Sequence, residues 1–188
     1  MAEAAPLDVV RFVDLEVERK SAWGPGMHAS RQLTVNDQLL SVALSERTGR
    51  AVEQSTPIVQ GRAGAVDPQA YLVSLLGGPK PDPLGAGRIA IGYCDACLDA
   101  SCGVVLGATL GIDDISVSWS RLGFEQEQPG PAPKLTPFWK KAPPVVEVPP
   151  DHVWWVAQPF DPEVSFRFER SQYLQAVQAE RRRLGTPS

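Results

Sequence analysis

All three cysteines of the 188-residue chain, Cys94, Cys97 and Cys102, fall within nine positions, in the stretch YCDACLDASCG. Two cysteines separated by two residues in a tight turn can aim both sulfurs at one ion, as in a zinc knuckle. Structural zinc takes four ligands, and a fourth here has to come from Asp95, Asp99, His28, His152 or water. A redox reading treats CDAC as a dithiol, but such a pair is activated at the start of a helix, and this one leaves a strand and enters a hairpin. A third reading has the cysteines packed as small apolar groups, with Asp99 and Gly103 shaping the connection. With one ligand short and no helix behind the motif, the third reading is preferred and zinc or thiol chemistry is the alternative.

Other chemistry finds little support in the residue pattern. Serines, aspartates and two histidines are present, yet no G-x-S-x-G elbow precedes a helix. The loop WGPGM has no Lys-Ser or Lys-Thr with which to hold a nucleotide phosphate. Asp113 and Asp114 fall where a turn is expected, and aspartate is favoured there for turn formation. No catalytic residue is assigned, and a non-enzyme is preferred over the alternative, a zinc-binding or thiol-dependent enzyme centred on Cys94, Cys97 and Cys102.

The elements that must position the cysteines follow from periodicity. VVRFVDLEV, residues 9–17, alternates Val13, Leu15 and Val17 with Asp14 and Glu16, the period of a half-buried strand. SAWGPGMHASRQ reads as a turn or irregular loop, because of Gly24, Pro25 and Gly26. LTVNDQLLSVAL reads as a hairpin turning at Asn36-Asp37. Residues 45–66 read as loop or weak edge strand. DPQAYLVSLLGG predicts a short helix with Asp67 as its cap, Pro68 at its first position and Gly77 as its stop. RIAIGYC, CGVVLGATLGI and ISVSWSRLGF predict a three-stranded antiparallel meander, with the cysteines at its first connection. Within the third strand Ile115, Val117 and Trp119 are expected on one apolar face. HVWWVA and EVSFRFE predict two more strands, with Phe166 and Phe168 on a shared face. SQYLQAVQAERRRL predicts a closing amphipathic helix, with Tyr173, Leu174, Val177 and Leu184 on one side.

Residues 129–150 hold eight prolines, which rule out regular helix and remove sheet donors. Leu135, Phe138, Trp139, Val145, Val146 and Val148 make this stretch too apolar for an inert spacer, so it reads as a strap packing on the domain or on a partner. Trp154 and Trp155 are consecutive strand residues and point to opposite faces, so one of them is expected to face outward. Phe138, Trp139, Trp154 and Trp155 are therefore the candidate partner-binding residues.

Composition bounds the class. Hydrophobic residues make up 43% and charged residues 21%, ordinary for a globular chain that buries one core. The net charge of −4 offers no general attraction to nucleic acid phosphates. The start lacks a basic segment followed by an apolar run, and no stretch approaches the length of a membrane span, so a cytoplasmic protein without membrane contact is expected.

GRIAIGYCDACLDASCGVVLGATLGIDDISVSWSRLGFE followed by FRFERSQYLQAV resembles a group of small uncharacterised actinobacterial proteins, which share a C-x2-C…C-G hairpin turn and a terminal F-x-F…Q-Y helix. The match covers about residues 71–124 and 163–178. Leu98 stands where the group has glycine, and the proline-rich strap is outside its pattern. The resemblance implies one compact cytoplasmic domain and supports the meander, with no activity to carry over. The expected fold is a single α+β domain over residues 1–188, with a mainly antiparallel sheet, one short central helix and one C-terminal helix. The expected function is non-enzymatic. It is that of an immunity, adaptor or accessory-subunit protein binding another protein through an acidic surface and the strap, with no cofactor required.

Overall fold

Two hairpin systems share one apolar core, and the phase of the first decides what the chain leaves open. The computed structural model describes residues 6–21, 24–52, 55–56, 66–82, 84–94, 100, 105–128 and 155–185, and for 17–30 and 55–56 the backbone alone. Val10–Ser21 (β1) pairs antiparallel along its whole length with Gly24–Val35 (β2). The segment expected as a loop is thus strand. Its two glycines and Pro25 sit at the closed end of the hairpin, where Pro25 faces Lys20. The Asn36 N–H donates to Val9 O at 2.8 Å, which sets the odd-numbered residues of β1 as those that exchange hydrogen bonds with β2. Lys20↔Pro25 is a non-bonded pair of that ladder, so proline's missing N–H costs nothing there.

Asn36 and Asp37 turn the chain with φ of 53° and 64°, the left-handed pair of a type I′ turn. Only Gln38–Leu39 (β3) continues the expected hairpin; the apolar run then forms a helix, Leu40–Thr48 (α1). Leu40, Ala43 and Leu44 recur at helical spacing and are buried, and Gly49 closes the helix at φ 66°. Burial of one helical face wins here over a strand reading of the same short apolar run.

The second sheet has the order β4-β5-β6-β7-β8, formed by Ser55–Thr56, Arg88–Cys94, Val105–Ile112, Ser116–Glu127 and Trp155–Pro159. Phe166–Glu169 (β9) lies beside the first part of β7 and β8 beside its last part, so one long strand borders two short ones. The meander is present as expected. Ile115 departs from expectation: it is 70% exposed in the β6–β7 turn, and the buried alternation begins at Val117 and Trp119. Asp113 accounts for this by accepting from the N–H groups of Ile115 and Ser116 and from the Ser116 hydroxyl.

Two helices complete the core. Pro68–Leu75 (α2) starts as predicted, with the Asp67 carboxylate accepting from Gln69 N at 3.1 Å, and its Tyr71, Leu72 and Leu75 are fully buried. Arg170–Gly185 (α3) is capped by Glu169, which accepts from the N–H groups of Ser171 and Gln172 and from the Ser171 hydroxyl. These hydrogen bonds hold the Glu169 carboxyl below its ordinary pKa, the Ser171 hydroxyl contributing most. Trp119 stands edge-on to Phe168 and Tyr173, with ring centroids 4.9 and 5.9 Å away. Its indole N–H donates to the Tyr173 hydroxyl, which donates to Leu75 O at 3.0 Å, so each polar tip in this aromatic centre is satisfied. Burial pushes the Tyr71 and Tyr173 phenols far above the usual tyrosine range, leaving both as neutral donors.

Asp8 joins the sheets through a parallel bridge to Phe168. Arg47 of α1 locks that junction: it donates to Asp8 Oδ1 at 3.0 Å and to Ser165 O at 2.7 Å, and lies 4.2 Å from the centroid of the Phe166 ring.

Candidate interaction surface

Because the odd residues of β1 face β2, its even residues turn their backbone groups to the opposite edge. The first part of that edge is closed. Asp8 donates its N–H to Arg167 O at 2.6 Å and its carboxylate Oδ2 accepts from Arg167 N at 2.9 Å, and Val10 O accepts from the Gln172 side chain at 3.0 Å. From there the edge is open: among the described residues, the outward N–H and C=O groups of Phe12, Asp14 and Glu16 have no partner. An extended edge of this kind is a template onto which a further strand can pair.

The side chains along it are mixed. Phe12 is half-buried and Leu15 is 37% exposed, so each face of β1 presents some apolar surface. Asp14 and Glu16 share one face and are exposed. Asp14 accepts from Arg31 Nη1 at 2.9 Å, and Arg31 also grips the buried Glu180 of α3 through Nε and Nη2. Burial alone lowers the Arg31 pKa, but Glu180 and then Asp14 outweigh it and the net shift is upward, so this cation is permanent. On the other face Arg11 is ion-paired with Asp37.

A second polar centre lies on the six-stranded sheet. Arg88 Nε donates to Glu125 Oε1 at 2.5 Å, and Nη1 donates to Thr109 Oγ1 at 3.2 Å and to Arg121 O at 3.0 Å. The two side chains are 8% and 0% exposed, and Arg88 Nη2 and Glu125 Oε2 have no hydrogen-bond partner among the described residues. A cleft at the end of α2 is lined by Gly77, Lys80 and Gly87 among others, but the Lys80 ammonium is committed to the carbonyls of Leu84 and Gly85.

Of the residues singled out in the sequence, Cys94 ends β5, half-buried, and Trp155 opens β8 at 6% exposure within the core, opposite Glu127 of β7. Trp155 is therefore a packing residue of this chain and not an exposed anchor. Cys97, Cys102, Phe138, Trp139 and Trp154, the strap at 129–150, and His152 lie outside the described residues, as does the side chain of His28. Among the described residues no three of His, Cys, Asp or Glu converge as metal ligands, and no helix is long and apolar enough to cross a membrane. The sequence reading missed the open edge. Its signal was present as the alternation of Asp14 and Glu16 on a strand, since edges commonly carry inward or flanking charge. It also missed both buried ion pairs, whose partners stand 37 and 149 positions apart. No family model matches the chain, and no curated protein or solved structure matches it either.

Proposed function

We propose that the chain is a cytoplasmic, non-enzymatic interaction protein of the immunity, adaptor or accessory-subunit type, which takes a partner protein onto the outer edge of β1. The observation that carries this reading is the run of backbone groups at Phe12, Asp14 and Glu16 that have no partner among the described residues, beside exposed carboxylates and Leu15. An added strand gains main-chain hydrogen bonds worth about 0.5–1.5 kcal/mol each, and alternate side chains supply selectivity. The edge is closed at its beginning by β9 and α3, so pairing starts at a fixed point, which limits register slips.

Glu16→Pro tests the reading. It removes one outward N–H and leaves the β1–β2 ladder and every described side-chain contact in place. Affinity capture from the source cells with the parent chain and with this variant, read by mass spectrometry, is expected to retain a partner that the variant loses. A chain that stays monomeric and retains nothing in either form argues against the reading.

A further inference from the structure

We infer that the strand received by β1 carries basic side chains at alternate positions, opposite Asp14 and Glu16. This rests on the edge reading above and adds the partner's chemistry to it. A strand added to β1 places its residues directly opposite those of β1 and on the same face, so groups facing Asp14 and Glu16 stand two apart in the partner. Asp14 is 74% exposed and gives only Oδ2 to Arg31, which leaves Oδ1 for a further donor. Glu16 is exposed and has no hydrogen bond or ion pair among the described residues. The two cations of the neighbouring cluster, Arg31 and Arg183, are both engaged by Glu180, at 2.8 and 2.6 Å. Arg11, at the other parity, is held by Asp37. At Asp14 and Glu16 a partner therefore meets exposed carboxylates.

A second copy of the chain fits the same edge less well. Two-fold antiparallel pairing preserves residue parity, so a register centred on Asp14 sets that carboxylate against its own copy, and one centred on Leu15 sets Asp14 opposite Glu16. Like charges placed directly opposite are destabilising. A partner offering lysine or arginine at those positions converts the repulsion into two favourable pairs.

The test uses the full chain and two synthetic heptapeptides, TKVKVKT and TEVEVET, with affinity measured by titration at low salt and the edge read by amide hydrogen exchange. The lysine peptide is expected to bind about tenfold tighter than the glutamate peptide, to weaken as salt rises, and to slow exchange at Phe12, Asp14 and Glu16. Glu16→Lys is expected to remove most of that preference, and Glu16→Pro to weaken both peptides. Equal binding of the two peptides with the same protected amides overturns the basic-partner inference and leaves the edge reading standing. Absence of protection with either peptide, together with no effect of Glu16→Pro, overturns both. Protection that rises with protein concentration alone makes a second copy the occupant and also overturns the inference.

Discussion

Glu125 and Glu180 are both buried, at 1% and 3% exposure, and both face an arginine, yet the two sites are built differently. Glu180 accepts from Arg31 through Nε and Nη2 and from Arg183 Nε at 2.8 Å, and through Arg31 it is tied to the exposed Asp14. Its charge is shared by two cations, one of them 45% exposed. Glu125 meets Arg88 by a single close contact at 2.5 Å, and one atom on each partner has no mate among the described residues. The first site connects the core to the open edge of β1. The second is closed, and it is held by the sheet. The contrast shows that burial of a carboxylate does not fix its energetic role; the number of donors and the route to solvent do.

The largest expected effect separates the two sites. Glu125→Ala leaves the Arg88 guanidinium buried without its counterion and is expected to cost about 3–5 kcal/mol in urea unfolding. Replacing both partners, Arg88→Met with Glu125→Leu, is expected to recover most of that loss, since apolar groups of similar volume often substitute for a buried pair at little cost. If the double variant is no more stable than Glu125→Ala, the pair does more than neutralise itself.

Gly107 sharpens the same point from below. A Cβ at this position would lie 1.9 Å from Glu125 Oε1, so the absence of a side chain on β6 is what lets Glu125 lie across the strand. Gly107→Ala is expected to cost about 1–3 kcal/mol, as overpacking in a rigid core does. In the Glu125→Ala background most of that penalty is expected to vanish, which a double-mutant cycle measures directly. At the other site, Glu180→Ala leaves Arg31 with Asp14 and Arg183 with solvent. A loss of about 1–2 kcal/mol is expected, clearly below that of Glu125→Ala. Equal losses at the two glutamates would erase the distinction.

How much of this could be read in the chain follows from the range of the forces involved. The α2 start at Asp67-Pro68, the meander and the alternation of Phe166 and Phe168 are local patterns, and the structure carries them. The α1 helix was hidden because Leu39-Leu40 after an Asn-Asp turn is equally consistent with a strand, and only packing of Leu40, Ala43 and Leu44 decides. The strand character of residues 24–35 was hidden because glycine and proline dominate its start, while its partner ladder is supplied by β1. The buried ion pairs were illegible: arginine and glutamate read as surface residues, and nothing in the sequence places Arg88 near Glu125 or Arg31 near Glu180. Of the candidate site residues, sequence reasoning could mark Trp155 as a large aromatic in a strand. Which face it takes depends on the pairing of β8 with β7.

Smaller effects are expected where the carboxylate is exposed. Asp14→Ala removes one arm of the Arg31 hub but leaves Glu180 in place, and an exposed pair of this kind contributes no more than about 1 kcal/mol. If the loss matched that of Glu180→Ala, the hub would be acting as one unit and the comparison with Arg88–Glu125 would need to count Asp14 as well.

Asp113 completes the series, as a fully exposed carboxylate that has donors but, among the described residues, no ion pair within hydrogen-bond range. The backbone N–H of Ile115, the Ser116 hydroxyl and the Ser116 N–H hold its pKa below the ordinary value of 3.8, with a smaller contribution from Arg167. Its folded pKa is depressed, so the stability it contributes is fully present above the unfolded value and is lost as pH falls through the folded one. Asp113→Ala is therefore expected to lower Tm at pH 5 and above, and the gap from the parent chain is expected to narrow steadily between pH 4 and pH 2. A gap that stays constant across this range would mean that the β6–β7 turn depends on the shape of the side chain and not on its charge. In that case donor number would govern only the buried carboxylates.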